Sequence, residues 1–195
     1  MLATLILAAG QSSRMRGRDK LLEPINDTPL LRVIAERACA TASEVYVALP
    51  RDPSPRASVL DGLPVNSIPV MNADQGMGAS ISAGVAALHS EIDGVMILPA
   101  DMPELTCDDL TVMIEAATQD PQMIHRAFSG DQPGHPVVFP KSCFAALRAL
   151  NGDHGARTMI DSHKDILRRV DLPNAHAITD LDTPEAWVQW RASQA

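Results

Sequence analysis

Apolar residues gather in short runs of strand length: Leu2 to Ala8, Val45 to Leu49, Ser67 to Val70, Val95 to Leu98 and Val137 to Phe139. Between them the spacing turns helical, most plainly at Leu30, Leu31, Ile34, Ala35 and Ala38. Start signals support this reading. Thr28 before Pro29 predicts an N-cap followed by proline in the first turn, and Thr183-Pro184-Glu185 repeats the signal near the C-terminus. Thr106 with Asp109 predicts a capping box that uses a short acid, and Asp74 to Ser80 opens a helix after the third strand. Strand alternating with helix predicts an α/β fold, doubly wound, with a mainly parallel sheet and helices on both faces. Sheets of this kind take ligands beyond the carboxyl ends of their strands, so the loops after Ala8, Val70, Leu98 and Phe139 are the places to look.

At 195 residues and 46% hydrophobic content the chain suffices for one core, and its prolines mark no repeat or linker, so residues 1–195 read as a single domain. A net charge of -8 with 3% aromatic residues argues against a nucleic-acid binder built on a basic face with stacking platforms. No apolar run approaches the roughly 20 residues of a membrane helix. The first basic residue, Arg14, follows the first apolar stretch, the reverse of a secretory signal, so Met1 reads as the start of the folded domain. Cys39, Cys107 and Cys143 are odd in number and far apart, which suits a reducing cytoplasm better than a disulfide framework or a zinc site.

The loop after the first run, Ala8-Ala9-Gly10-Gln11-Ser12-Ser13-Arg14-Met15-Arg16-Gly17-Arg18-Asp19-Lys20, is small at its start and basic at its end. Small residues let backbone amides approach a ligand, and four basic residues against one acid between Arg14 and Lys20 make an isolated positive spot on an acidic body. A phosphate chain complements such a spot; a solvated arginine-rich loop is the plain alternative. The loop is neither a P-loop, since Arg18 follows Gly17, nor a dinucleotide fingerprint, since only Gly10 lies in the turn.

Two further segments carry acids. Asp101 sits between prolines at the end of the Val95 run, where one carboxylate can hold a magnesium ion that phosphate oxygens and water complete; a helix-capping turn is the competing reading. Asp180 and Asp182 precede the last helix, either as a second ligand or as acids at a positive helix end. Gly76 and Gly78 allow a flat ligand to lie against backbone, or mark an ordinary glycine-rich helix start.

Leu7-Ala8-Ala9-Gly10-x-Ser12-x-Arg14-Met15, with Lys20-Leu21-Leu22 and Pro29-Leu30-Leu31, closely resembles the signature of nucleotidyltransferases that activate a phosphorylated acceptor with an NTP. Within these it resembles the molybdenum cofactor cytidylyltransferases. Arg16 stands before Gly17 where that family usually has glycine directly after methionine, and Asp27 where a turn glycine is common. The resemblance implies a Rossmann-like nucleotidyltransferase fold and a nucleotide bound by Ala8, Ala9, Gly10, Ser12, Arg14 and Lys20, with the triphosphate on the last four. It implies Mg²⁺ on Asp101 and Asp182, a base and ribose against Gln75, Gly76 and Ser80, and a molybdopterin-type acceptor against His135 and Arg157, with His154 a weaker candidate. Ala9 favours CTP, because the guanylyl branch typically has glycine there.

The expected reaction is in-line attack of the acceptor phosphate on the α-phosphorus of Mg-NTP, releasing pyrophosphate, with Arg14, Lys20 and Asp101 as the catalytic set. A molybdenum hydroxylase apo-enzyme is the expected recipient. Two other readings share the motifs: a sugar-1-phosphate nucleotidyltransferase, and a non-catalytic cofactor carrier or maturation chaperone.

Overall fold

The computed structural model describes residues 1–51, 53–152 and 156–194. In chain order its strands and helices are β1 (Leu2–Leu7), β2 (Pro24–Ile25), β3 (Thr28–Pro29), α1 (Leu30–Thr41), β4 (Glu44–Pro50), α2 (Pro55–Ser58), β5 (Asn66–Val70), α3 (Met77–Ala86), β6 (Gly94–Pro99), α4 (Cys107–Gln119), β7 (Ile124–Ser129), β8 (Gln132–Pro140), α5 (Phe144–Arg148), α6 (Arg157–Ser162), β9 (Leu167–Asp171) and α7 (Pro184–Ser193). Seven strands form one sheet in the order β5-β4-β1-β6-β8-β7-β9. All its pairings are parallel except those of β8, which runs against both β6 and β7.

Alternation along β1 explains the two-sided burial. Ile6 and Ala8 enter a core with Leu30, Leu31 and Ile34 of α1, Leu110 and Met113 of α4, and Trp187 of α7. Ala3, Leu5 and Ala9 enter a second core with Ile81 and Val85 of α3 and with Phe144 and Leu147 of α5. Each face therefore carries its own helical layer, as the strand and helix pattern predicts. The five expected strands all form, and the helical apolar positions Leu30, Leu31, Ile34, Ala35 and Ala38 are all buried.

Two caps match the sequence reading. Thr106 accepts from the Asp109 amide while the Asp109 side chain accepts from Thr106, and Thr183 caps α7 through the Ala186 amide. One cap does not. Thr28 pairs with Ile25 in a two-stranded ribbon, and Pro29 is itself the residue before α1. Asn26 and Asp27 turn that ribbon with φ of 47° and 66°, a conformation that short polar side chains tolerate.

The direction of β8 corrects one expectation. Gly94, at the start of β6, lies opposite Pro140, and the Lys141 amide donates to Asp93. The loop after Phe139 is thus at the far end of the sheet, and it is the beginning of β8, Gln132 to His135, that reaches the carboxyl end of β6. Among the described residues no helix is long and apolar enough to cross a membrane.

Candidate active site

The carboxyl ends of β1 and β6 are tied where the Ala100 amide donates to Leu7 at 3.2 Å, and Asp101 follows at once. Leu181 donates its amide to the Asp101 carbonyl at 3.1 Å, which draws the segment before α7 onto the same spot. Ligand oxygens of Asp101, Asp180 and Asp182 consequently lie within 4.8 Å of one another. Lys20 Nζ stands between two of them, 2.5 Å from Asp101 Oδ2 and 2.5 Å from Asp182 Oδ1, and Arg14 reaches Asp182 Oδ2 at 2.5 Å.

These contacts set the charges. Burial opposes the Lys20 ammonium, but Asp101 and Asp182 outweigh it and raise its pKa, so the side chain stays a cation. Burial likewise acts to raise Asp182, yet Lys20, Asp180 and Arg14 bring it below the usual carboxylate value. Among the described residues Asp180 has no such cation, and burial followed by Asp182 and Asp101 pushes it up. An oxygen-only donor set of three clustered acids suits a hard divalent cation.

The loop that follows β1 is less positive than its composition suggests. Arg14 pairs with Asp182, Arg16 with Glu185, Arg18 with Glu23, and Lys20 with Asp101 and Asp182. The isolated positive spot is therefore offset by acids from Glu23, Asp101 and the segment 182–185, which net charge along the chain does not reveal. Arg16, with φ 53°, and Gly17, with φ 88°, both adopt the left-handed conformation. The Arg16 departure thus puts a side chain where glycine is easier.

Among the expected loop contacts, Ala8 and Ser12 have other duties. The Ala8 amide donates to Ala48 at 2.9 Å and its carbonyl accepts from Arg56, so Ala8 keeps no amide for a phosphate. Ser12 Oγ donates to Asp19 Oδ1 and accepts from the Lys20 amide and from Arg56. Ala9 is buried at 2% exposure, whereas Gly10 is open to solvent.

Two clefts meet at this point. One, of about 550 Å³, is lined by Gly10, Arg14, Lys20, Gly76, Ser80 and Asp101, together with Asp74. The other, of about 400 Å³, is lined by Gly134, His135, Ala177, Asp180 and Asp182 and shares Arg14, Lys20 and Asp101 with the first. Gly76 has φ 95° and ψ -175°, a backbone that a side chain disfavours. Gly78 serves chain packing: its amide donates to Gly152 at 3.0 Å, and a Cβ there would meet Gly152 O at 2.8 Å and Asn151 at 2.9 Å.

Three expected contacts are placed elsewhere or lie beyond view. Gln75 is outside the cleft and accepts from Asn72 at 3.0 Å. Arg157, exposed at the start of α6, lines neither cleft. His154 lies outside the described residues. His135 does line the second cleft, with Nδ1 buried and without a hydrogen-bond partner among the described residues. Burial, then the Arg126 charge, lowers its pKa to about 4 against a small opposing pull from Asp101, so it is a neutral imidazole at pH 7.

The MobA-like NTP transferase domain matches residues 4–166. The chain belongs to that family. The purine catabolism protein PucB of Bacillus subtilis (strain 168) is 28% identical over 194 residues, covering 94% of this chain and 92% of PucB. A probable molybdenum cofactor guanylyltransferase of Natronomonas pharaonis is 30% identical over 194 residues, covering 93% of this chain and 92% of its own. The manganese complex of Rv0371c from Mycobacterium tuberculosis H37Rv shares the fold, with a TM-score of 0.78 at 23% identity over 98% of each chain.

This MobA-like transferase is a nucleotidyltransferase. Two of its polar residues at the site escape a reading of the sequence by motif. Asp74 lines the first cleft from a loop whose expected contacts were Gln75, Gly76 and Ser80. Arg56, 4% exposed, binds the loop after β1 from behind, and in sequence it is one arginine in a proline-rich stretch.

Proposed function

We propose that the chain transfers a nucleoside monophosphate from a metal-bound NTP to the phosphate of a molybdopterin-type acceptor and releases pyrophosphate. The observation that carries this reading is that the two clefts share one wall, Arg14, Lys20 and Asp101, beside Asp182. The first cleft takes the NTP, its triphosphate against Gly10, Arg14 and Lys20 and its base and ribose toward Gly76 and Ser80. The second takes the acceptor, its phosphate directed to the shared wall and its pterin toward His135.

Asp101 and Asp182 would hold Mg²⁺, with Asp180 close enough to join them. Bound there, the ion supplies charge to the phosphoryl oxygens as they become more negative. Lys20 and Arg14 leave their carboxylates for phosphate oxygens and orient the α-phosphorus for in-line attack. No general base is required, because a phosphate monoester with a second pKa of about 6 is already mostly ionised at neutral pH. Neutral His135 offers the acceptor a hydrogen bond rather than a positive charge.

CTP is the nucleotide we favour, on the alanine at position 9. GTP is the second reading, favoured by the names of relatives such as the Natronomonas guanylyltransferase. We place the reaction in the cytoplasm, where Cys39, Cys107 and Cys143 stay as the free thiols they are here, with a molybdenum hydroxylase apo-enzyme as recipient. Purified protein with Mg²⁺, molybdopterin and each of the four NTPs tests all of this by pyrophosphate release. Release that depends on molybdopterin and is fastest with CTP is expected. Release with a sugar 1-phosphate alone would move the acceptor, and pterin binding with no NTP dependence would remove the enzymatic reading.

A further inference from the structure

Arg56 lines neither of the clefts that meet at Lys20, yet it is 4% exposed and saturated. A guanidinium has five N–H donors, and here each has an acceptor. Nε donates to Asp19 Oδ2 at 2.7 Å and one terminal nitrogen to Asp19 Oδ1 at 2.9 Å and Ser12 Oγ at 3.2 Å. The other terminal nitrogen donates to the carbonyls of Ala8 at 2.6 Å and Gly10 at 2.8 Å. All of these acceptors belong to the loop after β1, whereas Arg56 comes from α2, beyond β4.

The acceptors lie at the two ends of that loop. Ala8 and Gly10 are at its entry, Asp19 is at its exit, and Ser12 joins them. Ser12 Oγ donates to Asp19 Oδ1 at 3.1 Å and accepts from the Lys20 amide at 3.1 Å, while Asp19 Oδ1 also accepts from the Leu21 amide at 3.0 Å. Residues 8 to 21 are thereby closed into a ring around one buried cation. With no donor left over, Arg56 cannot also bind phosphate. Lysine could not replace it, having three donors on one atom and no planar fork.

We propose that Arg56 is the positioning residue of the nucleotide loop: it clamps residues 8–19 from behind, and so sets where Lys20 and the amides of residues 10–14 stand, without touching the nucleotide. This rests on the reading of that loop as the triphosphate site. Asp19 fits the clamp, because Arg56 outweighs the burial that would raise its carboxyl and holds it low.

The test compares wild type, R56K, R56M and D19N by thermal melting, by binding of Mg-CTP, Mg-GTP and Mg-tripolyphosphate, and by steady-state kinetics. A misplaced loop should weaken NTP and tripolyphosphate alike by about tenfold or more in R56K and R56M, given two or more lost charge-assisted hydrogen bonds. KM for the acceptor should rise less than the NTP constants do, because the second cleft takes only Arg14 and Lys20 from residues 8–21 and the rest of its lining, such as His135, Ala177 and Asp180, from elsewhere. Added guanidinium chloride should restore tripolyphosphate binding to a further variant, R56A, whose truncated side chain leaves room for the ion. A folded R56M that binds tripolyphosphate as wild type does, or that loses acceptor and NTP affinity equally, overturns the proposal. Where R56M does not fold, D19N carries the same test: weaker tripolyphosphate binding is expected, and wild-type affinity overturns it. Wild type that binds neither NTP nor tripolyphosphate sinks the nucleotide reading itself, a different outcome.

Discussion

Lys20 Nζ lies 2.5 Å from Asp101 Oδ2, so the side chain read as a phosphate contact and the one read as a metal ligand hold each other. The same ammonium also reaches Asp182 at 2.5 Å. Lys20 thus competes with any ion for these acids. Lys20→Met removes that competitor from three carboxylates whose ligand atoms lie within 4.8 Å. Affinity for Mn²⁺ alone, titrated without nucleotide, should rise by about tenfold or more, while NTP-dependent pyrophosphate release falls by about a hundredfold or more. Unchanged Mn²⁺ affinity would show that Lys20 does not compete.

Asp101→Ala should abolish NTP-dependent pyrophosphate release and leave the fold intact. The fold survives because Lys20 keeps Asp182 and the backbone tie from Leu181 uses the Asp101 carbonyl, not its side chain. A loss of about a hundredfold or more in kcat/KM at unchanged circular dichroism is the expected result. Retained turnover would take Asp101 out of the mechanism.

His135 makes stability depend on pH. Its pKa of about 4 in the folded chain lies below the ordinary 6.5, so the unfolded state binds a proton first and stability falls as pH drops from 6.5 toward 4. Each pKa unit is ~1.4 kcal/mol, so the whole interval is worth on the order of 3 kcal/mol. His135→Asn should lose less stability than wild type between pH 7 and pH 4 in paired urea melts, by roughly that amount. Parallel curves would mean that the ring is not held neutral by its surroundings.

Gly78 distinguishes packing from ligand contact. Gly78→Ala brings a Cβ to 2.8 Å from Gly152 O, an overpacking that should cost about 1–3 kcal/mol. For a chain of this size that is roughly 2–4 °C of Tm per kcal/mol, read by calorimetry. An unchanged Tm with weakened NTP binding would return Gly78 to the nucleotide.

β1, β4 and β6 were legible because they are buried on both faces and read as apolar runs. β7 and β9 were not, since Ile124-His125-Arg126-Ala127-Phe128-Ser129 interrupts its apolar residues with charge and Leu167-Arg168-Arg169-Val170-Asp171 is an edge strand with one buried residue. Asp101 and Asp182 were legible through motif and position, and the structure brings them together across the chain. Gln75 and Arg157 line neither cleft, because a motif does not fix which way each side chain turns. Arg56 left no local signal at all, as its five acceptors become neighbours only once β1 and β4 pair.

The reversed strand β8 gives the two clefts different kinds of wall. Loops after parallel strands are each followed by a crossover, so altering one disturbs the helix that covers the sheet. The tip between β7 and β8, residues 129–132, simply turns back on itself, and the strand that leaves it carries Pro133, Gly134 and His135 to the second cleft. On the proposed reading, acceptor choice can therefore be retuned by rebuilding the β7–β8 hairpin, with the triphosphate grip left as it stands.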